Sequence, residues 1–141
     1  MANSAAICTS FKGEVLTGTH NLNSNSLKMA LYVATASLGA ATTVYSFTDE
    51  VSGTNYTAGG AAVTNGTVAT SGTTAYWTPA ANVTWSTVTL ATAFDAALLY
   101  NTTALNKAIA VFTFSSQTVT AGNFTLTMPT NDSSNALIRL A

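Results

Sequence analysis

The sequence predicts an all-β chain that folds as a single-domain β-sandwich with one short N-terminal helix, and a jelly roll is one form of such a sandwich. Three observations indicate this class. From residue 61 onward, stretches rich in strand-forming residues follow one another at even spacing, with short breaks between them. Thr, whose branched side chain suits a pleated strand, accounts for 27 of the 141 residues. Both Pro residues fall between candidate strands, where they interrupt no ladder of hydrogen bonds.

Residues 1–26 are predicted to form an N-terminal segment that contains the only helix, at residues 10–19. Phe11 and Val15 lie four positions apart and give this stretch one apolar face, while Ser10 is a candidate N-cap. A polar connector completes the segment. We expect the helix to close one end of the sandwich.

The strands are predicted over residues 27–141, so that residues 1–141 form a single domain. Residues 27–34 carry apolar side chains on both faces, which is typical of an interior strand. Residues 107–114 are also apolar on both faces and are therefore placed at the centre of a sheet. The remaining candidate strands cover residues 43–47, 61–70, 74–78, 83–90, 94–101, 117–128 and 136–140.

Charged residues make up only 6% of the chain, against roughly a quarter in an ordinary soluble domain. The cations are scattered and the net charge is −1, which argues against a nucleic-acid partner because phosphate binding needs clustered Lys and Arg. No window approaches the roughly 18 uninterrupted apolar residues of a membrane helix, and the first residues lack the basic region of a signal peptide. We expect a chain that neither crosses a membrane nor is exported.

Ionisable residues are too few to predict a catalytic or metal site. Asp49 and Glu50 are the only adjacent carboxylates, and neighbours on a strand point to opposite faces, so we expect both to ionise at the surface. A calcium site would need Asp49, Glu50 and Asp132 to converge, which their spacing does not require. His20 is the only candidate base and is expected at the surface. The sequence predicts no enzyme, no cofactor and no metal.

Two further groups have a structural interpretation. Cys8 is the single cysteine and is expected to be a small buried hydrophobe. Asp95 lies between apolar neighbours in one candidate strand, and Lys107 begins the next. We interpret these two as a pair across the hairpin that fixes the register of the strands.

Aromatic side chains and one loop supply the candidate interface. Tyr and Trp rings can stack on sugars, but they serve equally as core or interface residues. We favour a core or interface role over sugar binding. The loop of residues 52–60 is dense in turn residues and, with the N-terminal segment, forms the candidate attachment surface. The predicted interface residues are Tyr56, Asn55, Thr57, Phe11 and Trp77.

Six stretches carry a resemblance that covers essentially the whole chain in order: residues 8–20 (CTSFKGEVLTGTH), 27–32 (LKMALY), 50–60 (EVSGTNYTAGG), 97–101 (ALLYN), 107–111 (KAIAV) and 131–140 (NDSSNALIRL). Together they resemble a group of small virion structural proteins of tailed bacteriophages. No catalytic residue belongs to the pattern.

The resemblance implies a head decoration, or cement, protein. Such a protein is made in the host cytoplasm, sits on the capsid exterior, often as a homotrimer, and reinforces contacts between major capsid protein subunits. Similar sequences are also labelled only as virion or tail structural proteins. The alternative is therefore a head-fibre or tail-fibre module that recognises a host surface glycan.

Overall fold

A computed structural model describes residues 2–141 and confirms the all-β class, with 46% of the residues in strands and 6% in the helix. In chain order the elements are β1 (Ala6–Ile7), α1 (Thr9–Leu16), β2 (Leu27–Val33), β3 (Ala61–Val63), β4 (Ala69–Ser71), β5 (Thr74–Trp77), β6 (Val83–Asn101), β7 (Lys107–Leu126) and β8 (Ile138–Leu140). They form a five-stranded sheet in the order β1-β7-β6-β2-β3 and a three-stranded sheet in the order β4-β5-β8. Every strand pair is antiparallel.

The strand order differs from that of a jelly roll. Consecutive strands pair directly within one sheet, as β2 with β3, β4 with β5 and β6 with β7. A jelly roll instead connects eight strands through two Greek keys. The two-sheet class predicted from the sequence is thus confirmed. Short hairpins join β4 to β5 and β6 to β7, whereas the pairs β1–β7, β2–β6 and β5–β8 bring together strands that are distant in the chain.

The hairpin of β6 and β7 dominates the larger sheet, with strands of 19 and 20 residues. The sequence predicts two separate strands in place of each of them, at residues 83–90 and 94–101 and at residues 107–114 and 117–128. The expected breaks are instead irregularities in register, between Leu90 and Phe94 and between Phe94 and Ala96. β-bulges bend a strand and increase its twist without ending it, which is why turn-forming residues here do not separate strands.

The strand order places β7 between β1 and β6, as expected for residues 107–114. Residues 107–111 have partners on both sides, because β6 lies on one side and Thr43, Val44 and β1 lie on the other. From residue 112 onward only β6 pairs with β7. The interior position of β2 is confirmed, because β2 pairs with β6 on one side and with β3 on the other.

Helix α1 ends three residues before the predicted boundary because a glycine motif stops it. Gly18 has a φ of 76°, its N–H donates to the Val15 carbonyl at 3.2 Å, and the Thr19 N–H donates to the Glu14 carbonyl at 2.9 Å. This pair of bonds is a Schellman motif. The predicted cap is wrong: Cys8 occupies the N-cap position without a side-chain bond, and the Ser10 hydroxyl has no partner.

The core lies between the larger sheet and the elements that cover it. Its largest fully buried side chains are Trp77, Tyr32, Phe11, Phe94, Leu27, Met29, Leu31, Leu90, Leu98, Leu99, Ile109 and Val88. No helix within residues 2–141 has the length and apolar character needed to span a bilayer.

Candidate interaction surface

The predicted attachment loop, residues 52–60, lies against one edge of β6. The Thr89 N–H donates to the Thr54 carbonyl at 3.1 Å, and the Asn55 side-chain amide donates to the Thr87 carbonyl at 2.8 Å. An uncovered edge would expose unpaired backbone groups at this point. Residues 52–60 therefore form a capping loop, which covers this edge of β6 with its own backbone and side-chain polar groups.

Tyr56 is held inside this loop. Its hydroxyl donates to Glu50 Oε1 at 2.7 Å and accepts the Leu31 N–H at 3.0 Å, and its side chain is half-buried. Its neighbours Asn55 and Thr57 are exposed. Of the three predicted interface residues in the loop, the structure thus presents Asn55 and Thr57 to solvent and gives Tyr56 internal contacts.

Glu50 is the centre of a polar cluster, which corrects the expectation that it ionises at an open surface. Its Oε1 accepts hydrogen bonds from the Tyr56 hydroxyl at 2.7 Å and the Gly59 N–H at 2.8 Å, while its Oε2 accepts one from the Tyr45 hydroxyl at 2.7 Å. Asp49 is exposed, as expected. The two neighbouring carboxylates therefore differ: the Glu50 side chain is hydrogen-bonded within the chain, whereas Asp49 is exposed.

The tyrosines around Glu50 are kept neutral by their surroundings. Burial, aided by the Glu50 carboxylate, raises the pKa of Tyr100 to about 12. Burial is also the main cause that raises the pKa of Tyr45 and of Tyr56, and the hydrogen bond to Glu50 adds to it. Phenol groups in this state act as hydrogen-bond donors throughout the neutral pH range, which suits a structural cluster.

Phe11 and Trp77, the other two predicted interface residues, lie at the floor of an apolar groove. Each side chain is only 1% exposed, and the Trp77 indole N–H donates to the Gly66 carbonyl at 3.3 Å. The groove has a volume of about 450 Å³ and lies between α1 with its connector and the three-stranded sheet. Its lining includes Phe11, Val15, Leu22, Trp77, Ile138 and Leu140.

The side chain of His20 is fully buried, which corrects the sequence-based expectation of a surface position. Its Nε2 lies 2.7 Å from Glu14 Oε2, and its Nδ1 lies 3.0 Å from the Asn101 amide nitrogen. Asn101 Oδ1 accepts the Ala104 N–H, so the amide group presents its NH₂ to His20. This geometry assigns the imidazole proton to Nε2, which donates to Glu14.

The contacts of Glu14 also correct the predicted pair of Asp95 and Lys107. Lys107 Nζ lies 3.4 Å from Glu14 Oε1, whereas Asp95 Oδ1 accepts a hydrogen bond from the Asn3 side chain at 2.7 Å. Both contacts tie the N-terminal segment to the large sheet. Within residues 2–141, no hydroxyl or thiol is hydrogen-bonded to His20, so this cluster lacks a nucleophile.

Cys8 is fully buried as predicted, and burial together with the Glu14 charge raises the pKa of its thiol to about 11. Among residues 2–141 no group of three His, Cys, Asp or Glu side chains is placed to hold a metal ion. The Asp132 carboxylate is bonded locally to Asn135 and Ser134, and these bonds lower its pKa.

Comparison of the chain with protein-family models, curated proteins and solved structures found no match.

Proposed function

We propose that the protein is a phage virion structural protein that decorates the outside of the head and stabilises contacts between major capsid protein subunits. The observation that supports this proposal most is that several of the few ionisable groups are bonded within the chain. Glu14 bonds to both His20 and Lys107, Glu50 bonds to tyrosines, and Asp95 bonds to Asn3. What remains for contact is mainly uncharged surface.

An uncharged surface rich in hydroxyl groups suits permanent attachment. Burying a charge in an interface costs free energy unless it is paired there, whereas a Thr or Ser hydroxyl can exchange a water for a partner group. The exposed side chains of β7 include Thr113, Ser115, Gln117, Thr118 and Thr120, and none of them is charged. Such a surface can be covered by a shell at small desolvation cost.

Weak contacts are sufficient for this role. Copies that are linked on one lattice bind with an avidity that exceeds the affinity of each copy, so each site need contribute only a few kcal/mol. We propose self-association as a homotrimer on the capsid exterior, after synthesis in the host cytoplasm, as the resemblance implies. The candidate contacts to the shell are Asn55 and Thr57 of the capping loop, which are exposed.

The alternative is a fibre or receptor-binding module for a host glycan. One groove of about 610 Å³ has the amides of Asn65, Asn82 and Asn131 in its lining. Each of these amides is already bonded to backbone of the chain, and no aromatic ring lines the groove for sugar stacking. The geometry supports the decoration role better.

The number of copies per particle distinguishes the two functions. A decoration protein is present in amounts comparable to the major capsid protein, and its loss lowers the temperature at which shells fail. A fibre module is present in few copies, and its loss abolishes adsorption to the host while shell stability is unchanged.

A further inference from the structure

The outer edge of β7 is bare over most of its length. β1 pairs with two residues of this 20-residue strand, and the Ala108 N–H donates to the Thr43 carbonyl near its start. Over residues 112–126, no segment of residues 2–141 other than β6 forms backbone hydrogen bonds with β7. In an antiparallel ladder with one neighbour, the N–H and C=O of every second residue point away from that neighbour. These groups face solvent.

The opposite edge of the same hairpin is protected. β2 covers β6 from Phe94 to Asn101, and the capping loop bonds to Thr87 and Thr89. The chain therefore covers one side of this hairpin with a strand and a loop and leaves the other side open. The open side is notable because a long exposed strand edge promotes pairing with other chains.

Two usual protections of an open edge, charged side chains and Pro, are missing from residues 112–126 of β7. Proteins guard such edges with charged side chains, especially Lys, or with Pro. Between Lys107 and Asp132 the chain has no charged residue, and β7 contains no Pro. The remaining protection is a series of register irregularities along the β6–β7 ladder, between Phe124 and Thr113, and these bend the strand without ending it.

We propose that the outer edge of β7, over residues 112–126, pairs antiparallel with the same edge of a second copy of this chain. A two-fold axis makes the two edges complementary, because each outward N–H of one copy meets an outward C=O of the other. The two five-stranded sheets then continue as one.

A second copy fits this edge better than a charged partner. Like charges placed opposite each other would oppose self-pairing, and this edge has none. Its Thr side chains can also bond across the axis, as Thr84 and Thr125 do within the hairpin at 2.9 Å. The pairing occupies the β7 edge of each copy. It therefore ends at two copies and does not grow into a fibre.

This pairing does not rest on the proposed function. A two-fold contact joins two chains, and it would link two trimers if the expected homotrimer also forms. Failure of the capsid role would leave the edge pairing intact, and the reverse is equally true.

Disulfide cross-linking tests the proposal directly. Cys8 is fully buried, so one cysteine introduced at the surface is the only reactive thiol. Single cysteines would be placed, one at a time, at the exposed positions Thr113, Ser115, Ser116, Gln117, Thr118, Thr120, Ala121, Asn123 and Thr125. Directly opposed Cα atoms in such a pair lie about 4.5–5.5 Å apart, which is within disulfide reach.

Two-fold pairing predicts a specific pattern under mild oxidation. One position, on the axis, cross-links to itself, and positions at equal distances before and after it cross-link only when the two variants are mixed. The control is Ser86→Cys, at an exposed position of β6 away from the open edge. It should stay unlinked.

The oligomeric state gives a second readout that does not depend on cysteine. Light scattering should show an even-numbered oligomer. The double variant Thr118→Lys with Thr120→Lys should raise the dissociation constant of this oligomer by about tenfold or more. A chain that is monomeric at all concentrations would overturn the proposal. Cross-linking at every position, the Ser86 control included, would do so as well. Protection of β7 from hydrogen exchange only on assembled particles would identify a foreign strand instead and would also contradict it.

Discussion

Glu50 shows how strongly single residues in this chain depend on distant partners. Its carboxylate accepts three hydrogen bonds, from two Tyr hydroxyls and one backbone amide. Bonds to a charged acceptor are stronger than neutral ones, so the cluster fixes the start of the capping loop against β2. Local sequence gives Glu50 no feature that separates it from Asp49.

We expect Glu50→Gln to lower the free energy of unfolding by about 1–3 kcal/mol, because an amide nitrogen would face a hydrogen-bond donor and the charge would be lost. The matched control is Asp49→Asn. Asp49 is exposed and has a φ of 63°, a conformation that Asn tolerates well. Chemical denaturation of both variants measures the difference, and equal stabilities would contradict the role assigned to Glu50.

The tyrosines predict a loss of stability at alkaline pH. Tyr100 has a pKa of about 12 in the fold against a model-peptide value of 10.0. Because the unfolded chain releases this proton at lower pH, the stabilisation is complete below pH 10.0 and is lost as the pH rises towards 12. Tyr45 and Tyr56 act in the same direction. Phenolate absorbance should therefore appear together with unfolding, whereas complete titration near pH 10 in a folded chain would refute this.

Residue roles were predictable only where burial alone decides them. Cys8 was predicted correctly, since a lone cysteine in an apolar stretch is usually buried. His20 was not, because the group that orients it, Asn101, lies 81 residues away in sequence. A polar side chain is identified as internal by its partners, and those are set by tertiary structure.

At the scale of elements, the capping loop is held by a close approach of two backbones. A Cβ at Gly53 would overlap the Thr89 carbonyl oxygen, so only glycine lets the loop reach the edge of β6. Gly13 is the contrasting case, since it lies within α1 with open space around its Cα. The two glycines therefore have opposite consequences for stability.

Gly53→Ala should destabilise the fold by about 1–3 kcal/mol and expose the Thr89 amide to hydrogen exchange, because the loop must move away from the edge. Gly13→Ala should stabilise it by about 0.5–1 kcal/mol, since Ala is the better helix former. Denaturation curves with exchange measurements test both. An unchanged exchange rate at Thr89 in the Gly53 variant would show that the loop does not depend on this contact.

Element boundaries were predictable where composition changes sharply and not where bulges occur. β2 and β5 lie close to the predicted residues 27–34 and 74–78. Residues 61–70 instead form two short strands, β3 and β4, that belong to different sheets. Nothing in the alternation of apolar residues reports which sheet a strand joins, since that depends on long-range pairing.

In the whole molecule, two features support the proposed contacts with other subunits: the low content of charge and the bare edge of β7. About half of the ionisable groups hold the N-terminal segment and the capping loop in place: Glu14, His20, Lys107, Glu50 and Asp95. Under the proposed function, the remaining surface serves contact with other subunits. Composition alone leads to that hypothesis, whereas the open edge of β7 follows only from the strand order.

Quantitative mass spectrometry of purified virions, calibrated against the major capsid protein, distinguishes a head decoration protein from a minor component of the tail. A decoration role predicts that this protein is present in amounts within a small factor of the capsid subunit, and that it is lost when the outer surface of intact heads is stripped. A protein found in only a few copies per particle, or retained with the tail after the heads are removed, would contradict the account.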